Sequence, residues 1–372
     1  MLNLQIKNYR KMKKAIILAA AAVVLASCVE RTHYWKGADI GWATEMEAAG
    51  QTLSDKDGNV MECTALMKSL GLDAVRFRVW VDPSAHGNWN GAEDLLVKAK
   101  RAKDEGMEIM IDFHYSDFWA DPKKQNIPAS WSGKPYEEVR GLLADHTRDI
   151  LRMLKDNDIK PRWVQVGNEI SNGFLWTVKG DFWGDPVPDS LGRVTILESI
   201  GHLKKNPAQY AGLFAAGYDA VKEVFPKAKV IVHLDNGFHQ PLYDSNLDTL
   251  VKYGAKWDIV GMSLYPYWAL DSGLETDEEE VISHCIDNID HVWEKYGTPS
   301  MIVETGFEVD EDDPEILEKG RDQLRRIIRE SRATGHCLGI FYWEPECRPG
   351  QYRLGAFDSE GKPTIIMDAF SE

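Results

Sequence analysis

Residues 163–169 read Trp-Val-Gln-Val-Gly-Asn-Glu, a short run rich in β-branched and aromatic residues that ends in an amide and a carboxylate. Residues 301–304, Met-Ile-Val-Glu, repeat the arrangement further along the chain. Short apolar runs of this kind are typical of strands buried on both faces, as in a parallel sheet. Because parallel strands end at the same edge, the polar residues that close them are expected to lie together. The two stretches therefore predict a parallel sheet with a polar site along one edge.

Further segments share this character, and the predicted strands are 37–41, 74–80, 108–114, 163–168, 229–235, 259–264, 301–304 and 338–343. Amphipathic segments with helical spacing lie between them, among them 60–70, 92–104, 136–155, 208–224, 278–296 and 315–334. Strands that alternate with helices in this number favour a closed barrel over a doubly wound sheet. No Gly-x-Gly-x-x-Gly motif follows the first strand, which weakens the nucleotide-binding alternative. We therefore predict an α/β fold, a single (β/α)8 TIM barrel with long βα loops that form an open cleft.

The N-terminal segment has the pattern of an export signal. A basic leader precedes an unbroken apolar run from Ala15 to Ala26, which is shorter than the about 20 residues that span a bilayer. The run ends Leu-Ala-Ser-Cys28, which looks like a bacterial lipoprotein processing box; an ordinary signal peptide with an incidental cysteine is the alternative. We expect residues 1–27 to be the signal peptide and 28–372 to be one barrel domain, with Cys28 as the lipidated N-terminus. The protein would then be exported and lipid-anchored to the outer membrane, on its periplasmic or cell-surface side.

The composition narrows the class of partner. The formal net charge is −16, and removal of the basic leader makes the mature chain still more acidic, which argues against nucleic acid and anionic lipid as partners. A neutral glycan is compatible with this charge, and the 13 tryptophans provide aromatic surface for one. A monomer is the default expectation. The remaining cysteines have no metal-ligand spacing, so two disulfides and buried free thiols both stay open: Cys63, Cys285, Cys337 and Cys347.

Two glutamates are placed for hydrolysis of a glycosidic bond. Glu169 closes the fourth predicted strand and Glu304 closes the seventh. Across a barrel mouth these carboxyls can face each other, one protonated to donate to the leaving oxygen and the other ionised to attack the anomeric carbon. A lone Glu after a strand is usually a helix cap or a surface charge, so the pair carries the prediction. A separation of about 5–5.5 Å between the carboxyls would give retention of configuration, and about 6.5–9.5 Å would give inversion.

The pattern is similar to that of the large clan of retaining (β/α)8 glycosidases, whose catalytic acids follow strands four and seven. The most specific stretch is 112–125, Asp-Phe-His-Tyr-Ser-Asp-Phe-Trp-Ala-Asp-Pro-Lys-Lys-Gln, supported by Gly-Ala-Asp-Ile at 37–40, Val-Arg-Phe-Arg-Val-Trp at 75–80 and Tyr-Trp-Glu-Pro at 342–345. With these motifs the chain resembles glycoside hydrolase family 53, the endo-β-1,4-galactanases, from residue 36 to about 357. The resemblance implies retaining endo-hydrolysis of β-1,4-galactosidic linkages in (arabino)galactan side chains of pectin, with Glu169 as acid/base and Glu304 as nucleophile.

Other side chains at the strand ends are candidates for binding substrate. The resemblance implies that Asn168 binds a sugar 2-hydroxyl and that His114 lies near the reactive subsite. Arg76 could hold Glu304 ionised, because a nearby cation lowers a carboxyl pKa, and Tyr265 could hydrogen-bond it. The indole of Trp343 could stack on the apolar face of galactose. Structural ion pairing or packing is the alternative for each of these, and the weaker candidates for hydroxyl contacts are Asp39, Ser116, Asp117, Trp119, Asp235 and Asn236.

Two further alternatives concern the reaction and the metal content. The same two acids would serve a clan relative that cleaves another β-glycan, such as mannan or glucan, and a barrel retained only for glycan binding is a third possibility. No cofactor is required by the predicted chemistry. The acidic run at 308–313 offers oxygen ligands for a structural calcium, but it lacks the Gly-punctuated spacing of a calcium loop, so helix capping and solvation are favoured.

Overall fold

The computed structural model describes residues 33–371, and a closed barrel of parallel strands dominates them. The barrel strands, numbered here in chain order, are β1 Trp35–Asp39, β2 Ala74–Val79, β3 Glu108–Phe113, β4 Trp163–Val166, β5 Lys229–Leu234, β6 Ile259–Leu264, β7 Ser300–Thr305 and β8 Cys337–Trp343. Each strand pairs with its neighbours in sequence, and β1 pairs with both β2 and β8 to close the ring. The predicted (β/α)8 barrel is confirmed.

Helices cover the outside of the barrel. The α-helices span Ala43–Ala48, Cys63–Ser69, Ala92–Asp104, Tyr136–Asp156, Pro207–Val224, Gln240–Lys252, Pro266–Asp271, Glu278–Tyr296 and Pro314–Thr334, with 3-10 turns at Pro83–His86 and Ile365–Ser371. The last long helix starts one residue before the predicted 315–334. The carboxylate of Asp313 caps it by accepting from the N–H of Glu315, and Pro314 follows the cap.

The interior of the barrel is a packed core. Its lower end is filled by side chains from nearly every strand: Ala74, Met110, Trp163, Ile231, Ile259, Met301, Val303 and Phe341. Gly37 on β1 is required there, because a Cβ atom would lie 2.3 Å from the ring of Phe341. The core leaves the opposite, C-terminal end of the strands to carry polar groups, as is usual in this fold.

One predicted helix was wrong at its start. Residues 60–70 were expected to be helical, but Val60–Met61 pairs with Leu53–Ser54 in a small antiparallel ribbon. The helix starts only at Cys63, where the Glu62 carboxylate caps it by accepting from the N–H of Ala65 at 3.0 Å. A second ribbon, Thr177–Val178 with Ile196–Glu198, folds within the long loop after β4. Ribbon residues 60–61 are apolar and continue the helical spacing, which explains the error.

Two further sequence-based predictions concern the cysteines and the N-terminal segment. The four cysteines within residues 33–371 are buried free thiols. Within residues 33–371, the structure contains no helix with both the length and the hydropathy needed to cross a bilayer. The predicted signal peptide and Cys28 lie outside the described residues.

Candidate active site

Both predicted catalytic acids line one cleft at the C-terminal end of the barrel. The cleft has a volume of ≈600 Å³, and Glu169 and Glu304 share it with many of the other predicted residues. The predicted residues that line it are Trp119, Asn168, Asp235, Asn236, Tyr265 and Trp343. Strand order explains this gathering, since the residues follow β3 to β8 around one rim.

The backbone at this rim adopts conformations that are unusual for residues with side chains. Glu169, Asn236 and Glu344 have φ angles of 48°, 47° and 47°, in the left-handed region. Such conformations cost on the order of 1 kcal/mol or more and persist where the surrounding structure enforces them, often at functional sites. Gly167 precedes the acid with φ 86°, and a Cβ there would lie 2.5 Å from Ile170. The chain after β4 therefore turns sharply and presents Glu169 to the cleft.

Glu304 is held between a cation and a phenol. Its Oε1 lies 2.9 Å from Arg76 Nη1, and the hydroxyl of Tyr265 donates to its Oε2 at 3.1 Å. Burial raises the pKa of the Glu304 carboxyl above its ordinary value, and Arg76 and Tyr265 oppose that rise. The ionised form of Glu304 thus has two partners, as attack on an anomeric carbon requires.

Arg76 is itself fixed by a ring of acceptors. It is 1% exposed and forms ion pairs with Asp39 and Asp112, each at 2.8 Å. Its Nη2 also donates to the side-chain oxygen of Asn168 at 2.8 Å. Asp39 therefore acts on Glu304 through Arg76 and does not itself line the cleft. Burial and the neighbouring Glu344 raise the pKa of Asp39 to about 8.

Glu169 has a different environment from Glu304. Its Oε1 accepts from the Ser263 hydroxyl at 2.7 Å. Within residues 33–371, Glu169 forms no ion pair with a Lys, Arg or His side chain, in contrast to Glu304. Burial raises the pKa of the Glu169 carboxyl well above its ordinary value, and repulsion from Glu304 and Asp235 adds to the rise. A raised pKa favours the protonated form, in which Oε2 is available as a donor. Two carboxyls with such different surroundings suit an acid and a nucleophile.

His114 and Asn168 position the loop that forms one wall of the cleft. The Nδ1 of His114 accepts from the N–H of Ala120 at 3.1 Å, while its Nε2 faces Asp112 at 3.1 Å. Asn168 Nδ2 donates to the carbonyl of Ala120 at 2.8 Å. His114 is buried beneath Trp119, with ring centroids 5.9 Å apart. It supports the wall from below rather than lining the cleft.

The remaining predicted residues divide into those at the rim and those away from it. Asp235 accepts from Ser171 and Asn236, and burial raises its pKa to about 6. Asp117 accepts from the backbone N–H groups of Asp82 and Ala129, at 3.1 and 2.8 Å, and thereby braces the third loop. Ser116 is buried, and neither it nor Asp117 lines the cleft. Tyr115, which precedes them, has φ 51°, in the left-handed region.

Several cleft residues had not been predicted from the sequence. Ser263 bonds the acid, and Trp268 and Tyr352 form part of the aromatic lining. Arg78 lies 4.2 Å from the ring centroid of Trp119 and pairs with Glu344, so it stiffens the aromatic wall from below. Of these, Trp268 carried a signal, an aromatic residue a few positions beyond a strand end. Tyr352 stands in an irregular loop and carried none.

The acidic run at 308–313 has local partners. Asp313 caps its helix, Glu311 accepts from the backbone and hydroxyl of Ser359 at 2.9 and 3.0 Å, and Glu308 lies 3.5 Å from Arg353. Across residues 33–371, no three His, Cys, Asp or Glu side chains are grouped as ligands for one metal ion.

The sequence of this chain matches those of known glycoside hydrolases. The family model described as "Glycosyl hydrolase family 53" matches residues 35–360. The chain belongs to glycosyl hydrolase family 53. A protein of Niallia circulans described as "Uncharacterized protein in bgaB 5'region" is 31% identical over 353 residues, which is 89% of this chain and 89% of that protein. The family membership confirms the predicted resemblance, and the protein is a glycoside hydrolase.

Two other members of the family are informative. "Arabinogalactan endo-beta-1,4-galactanase A" of Aspergillus niger is 28% identical over 347 residues, 88% of this chain and 89% of that protein. The solved "GH53 catalytic domain" of Ignisphaera aggregans superposes with a TM-score of 0.76 at 25% identity, covering 91% of this chain and 96% of that one. The barrel fold is therefore that of the family over nearly the whole described length.

Proposed function

We propose that this glycosyl hydrolase family 53 enzyme cleaves internal β-1,4-galactosidic linkages of (arabino)galactan with retention of configuration. The observation that carries the proposal is the contrast between the two acids of one cleft. Glu169 has a raised pKa and a hydroxyl partner, whereas Glu304 is paired with a guanidinium and a phenol. The galactan specificity is supported by the printed activity of the A. niger relative.

The proposed reaction has two steps. Glu304 attacks the anomeric carbon while the protonated Oε2 of Glu169 gives its proton to the leaving glycosidic oxygen, so that a glycosyl ester forms on Glu304 and one glycosidic bond breaks. Glu169, now ionised, removes a proton from water as the water oxygen attacks the same carbon. The ester breaks, the sugar is released with its original configuration, and Glu304 is regenerated as the carboxylate.

Several neighbours of the two acids are suited to hold the sugar. Asn168 Nδ2 uses one hydrogen for the carbonyl of Ala120, which leaves its second hydrogen for a sugar hydroxyl. Trp343 lies in edge contact with Tyr352, with ring centroids 4.6 Å apart, and both rings line the cleft. Ring faces of this kind suit the apolar face of galactose. Asp235 and Asn236 offer further polar contacts at the opposite rim.

The decisive experiment compares wild type with Glu169→Ala and Glu304→Ala on potato-type galactan, mannan and cellulose. We expect the wild type to release galacto-oligosaccharides from galactan only. Each variant should lose at least about 10³-fold in kcat, since general acid catalysis alone contributes about 10²–10⁴-fold. Near-wild-type release of oligosaccharides by either variant would contradict the proposed mechanism. Preferential hydrolysis of mannan or cellulose would contradict the proposed substrate.

We also propose that the protein is exported and anchored to the outer membrane through a lipid on Cys28. The proposal rests on the Leu-Ala-Ser-Cys28 motif after the apolar run. Detergent phase partitioning of wild type and Cys28→Ala after expression in a Gram-negative host tests it. The wild type should enter the detergent phase and the variant should stay in the aqueous phase. Equal partitioning of the two proteins would contradict the anchor.

We further propose that the enzyme needs no cofactor, because the two carboxyls and water supply every proton and electron pair of the reaction. We also propose that it acts as a monomer. Dialysis against EDTA should leave kcat/KM on galactan unchanged, and size-exclusion chromatography with light scattering should give the mass of one chain. A loss of activity that added calcium restores would instead assign a metal requirement.

A further inference from the structure

The loop after β4 carries two large aromatic side chains on the protein surface. Phe182 is 70% exposed and Trp183 is 52% exposed. Exposure of adjacent aromatic rings is unfavourable in water and usually marks a binding surface. They do not belong to the cleft lining described above.

The turn that presents these rings is firmly held. The Asp181 carboxylate accepts from the N–H groups of Trp183 and Asp185, at 2.8 and 3.0 Å. The buried Lys124 ammonium donates to the carbonyl of Trp183 at 3.2 Å and pairs with Asp185. Because several polar groups fix the backbone, the exposed rings have a defined position in spite of the unfavourable exposure.

The rings are part of a larger aromatic surface, which we call the outer aromatic platform and define as His86, Phe118, Phe182 and Trp183. His86 stacks on Phe118 at 3.8 Å between ring centroids and lies 5.7 Å from Trp183. Phe118 lies 5.7 Å from Trp183 with their planes 35° apart, and Phe182 lies 5.0 Å from Trp183. Three different βα loops thus contribute to one surface.

The outer aromatic platform is continuous with the cleft. Phe118 is followed in sequence by Trp119, which lines the cleft, and their ring centroids lie 6.1 Å apart. Lys124 lines the cleft and bonds the turn that carries Trp183. A polymer that leaves the cleft past Trp119 would therefore meet Phe118 and then Trp183.

We propose that the outer aromatic platform is a remote subsite that stacks on galactosyl rings of the polymer, several residues away from the bond being cleaved. The apolar face of a β-galactosyl unit is the ligand chemistry that matches such rings. Three of its four members, Phe118, Phe182 and Trp183, carry no charge, which suits a neutral sugar ring. This inference rests on the proposed galactanase function and adds where the chain binds outside the cleft.

The test compares polymeric galactan with β-1,4-galactotetraose as substrates. The quantity measured is the ratio of kcat/KM on the polymer to kcat/KM on the tetraose. The double variant Phe182→Ala/Trp183→Ala should lower this ratio about 10-fold, because loss of aromatic contact area affects only chains that reach the platform. Matched controls are Leu191→Ala, which removes another exposed side chain of the same loop, and Trp293→Ala, which removes an exposed indole from the helical layer. Both controls should keep the wild-type ratio of the two substrates.

The possible outcomes separate this inference from the function on which it rests. Hydrolysis of galactan by the wild type reports the function alone, and its absence would remove both. With an active wild type, an unchanged polymer-to-tetraose ratio in the double variant overturns the platform. An equal loss on both substrates overturns it too, since it would indicate a structural role. A change of oligomeric state without a change of ratio would assign the rings to contact between copies of the chain.

Discussion

Removal of a single hydroxyl from Tyr265 should move the acid limb of the pH profile. Tyr265 donates to Glu304 Oε2 at 3.1 Å, and this bond lowers the pKa of Glu304 because it favours the carboxylate. A hydrogen bond to a charged group contributes about 1.5–3 kcal/mol. Since one pKa unit corresponds to about 1.36 kcal/mol, Tyr265→Phe should raise the pKa of Glu304 by about 1–2 units.

The consequence for the rate depends on pH. At pH values below the pKa of Glu304 in both proteins, kcat/KM follows the ionised fraction of Glu304, so the shift should appear as a loss of about 10- to 100-fold. Near the optimum the loss should be much smaller, because most of Glu304 is ionised there. The assay is kcat/KM on galactan as a function of pH for the wild type and Tyr265→Phe.

A matched variant controls for general disturbance of the cleft. Tyr352→Phe also removes a phenol from the cleft lining, but the hydroxyl of Tyr352 is paired with the indole of Trp268 at 3.4 Å. Its acid limb should stay where the wild type has it. The reasoning would be refuted if Tyr265→Phe kept the wild-type acid limb, or if both variants shifted it equally.

The remaining predictions concern the alkaline limb of the pH profile and two glycines of the backbone. The hydrogen bond from Ser263 to Glu169 Oε1 favours the ionised form of Glu169, so its removal in Ser263→Ala should raise the pKa of Glu169. The alkaline limb of the kcat/KM profile should therefore move to higher pH by about 1 unit. A shift to lower pH would contradict the role of Glu169 as the acid. Gly167→Ala forces a Cβ against Ile170 at φ 86° and should lower the free energy of unfolding by more than about 1 kcal/mol in thermal denaturation. Gly141→Ala, in a helix with open space around the added Cβ, should instead raise it by about 0.5–1 kcal/mol; equal effects of the two substitutions would refute the strain argument.

The fold was predictable because the barrel strands are buried on both faces and therefore mostly apolar. The observed strands differ from the predicted ones by at most two residues at either end, as with 163–168 against Trp163–Val166. Three predicted strands, 108–114, 163–168 and 229–235, ran on into a polar residue that lies beyond the observed strand, namely His114, Asn168 and Asp235. Glu169 follows directly after the predicted strand 163–168, and its φ of 48° lies outside strand geometry.

From the sequence, a residue could be assigned to the site only where it lies at the end of a predicted strand. The register between β6 and β7 shifts after Met262, which pairs Ser263 with Glu304, and no residue pattern signals that shift. Ser116 and Asp117 stand close to His114 in sequence, yet neither of them lines the cleft. Tyr352 and the outer aromatic platform come from loops whose course depends on tertiary contacts. Position at a strand end therefore predicted that Glu169 and Glu304 share the cleft and that Arg76 and Tyr265 contact Glu304. It did not predict that Ser263 contacts Glu169.

The most direct test of the account is the configuration of the first product. Proton NMR during hydrolysis of galactan by the wild type distinguishes the anomers before mutarotation mixes them. The arrangement of an ionised Glu304 opposite a protonated Glu169 predicts that the β-anomer appears first and the α-anomer only later. If the α-anomer appears first, the reaction is a single inverting displacement, and Glu304 is not the nucleophile.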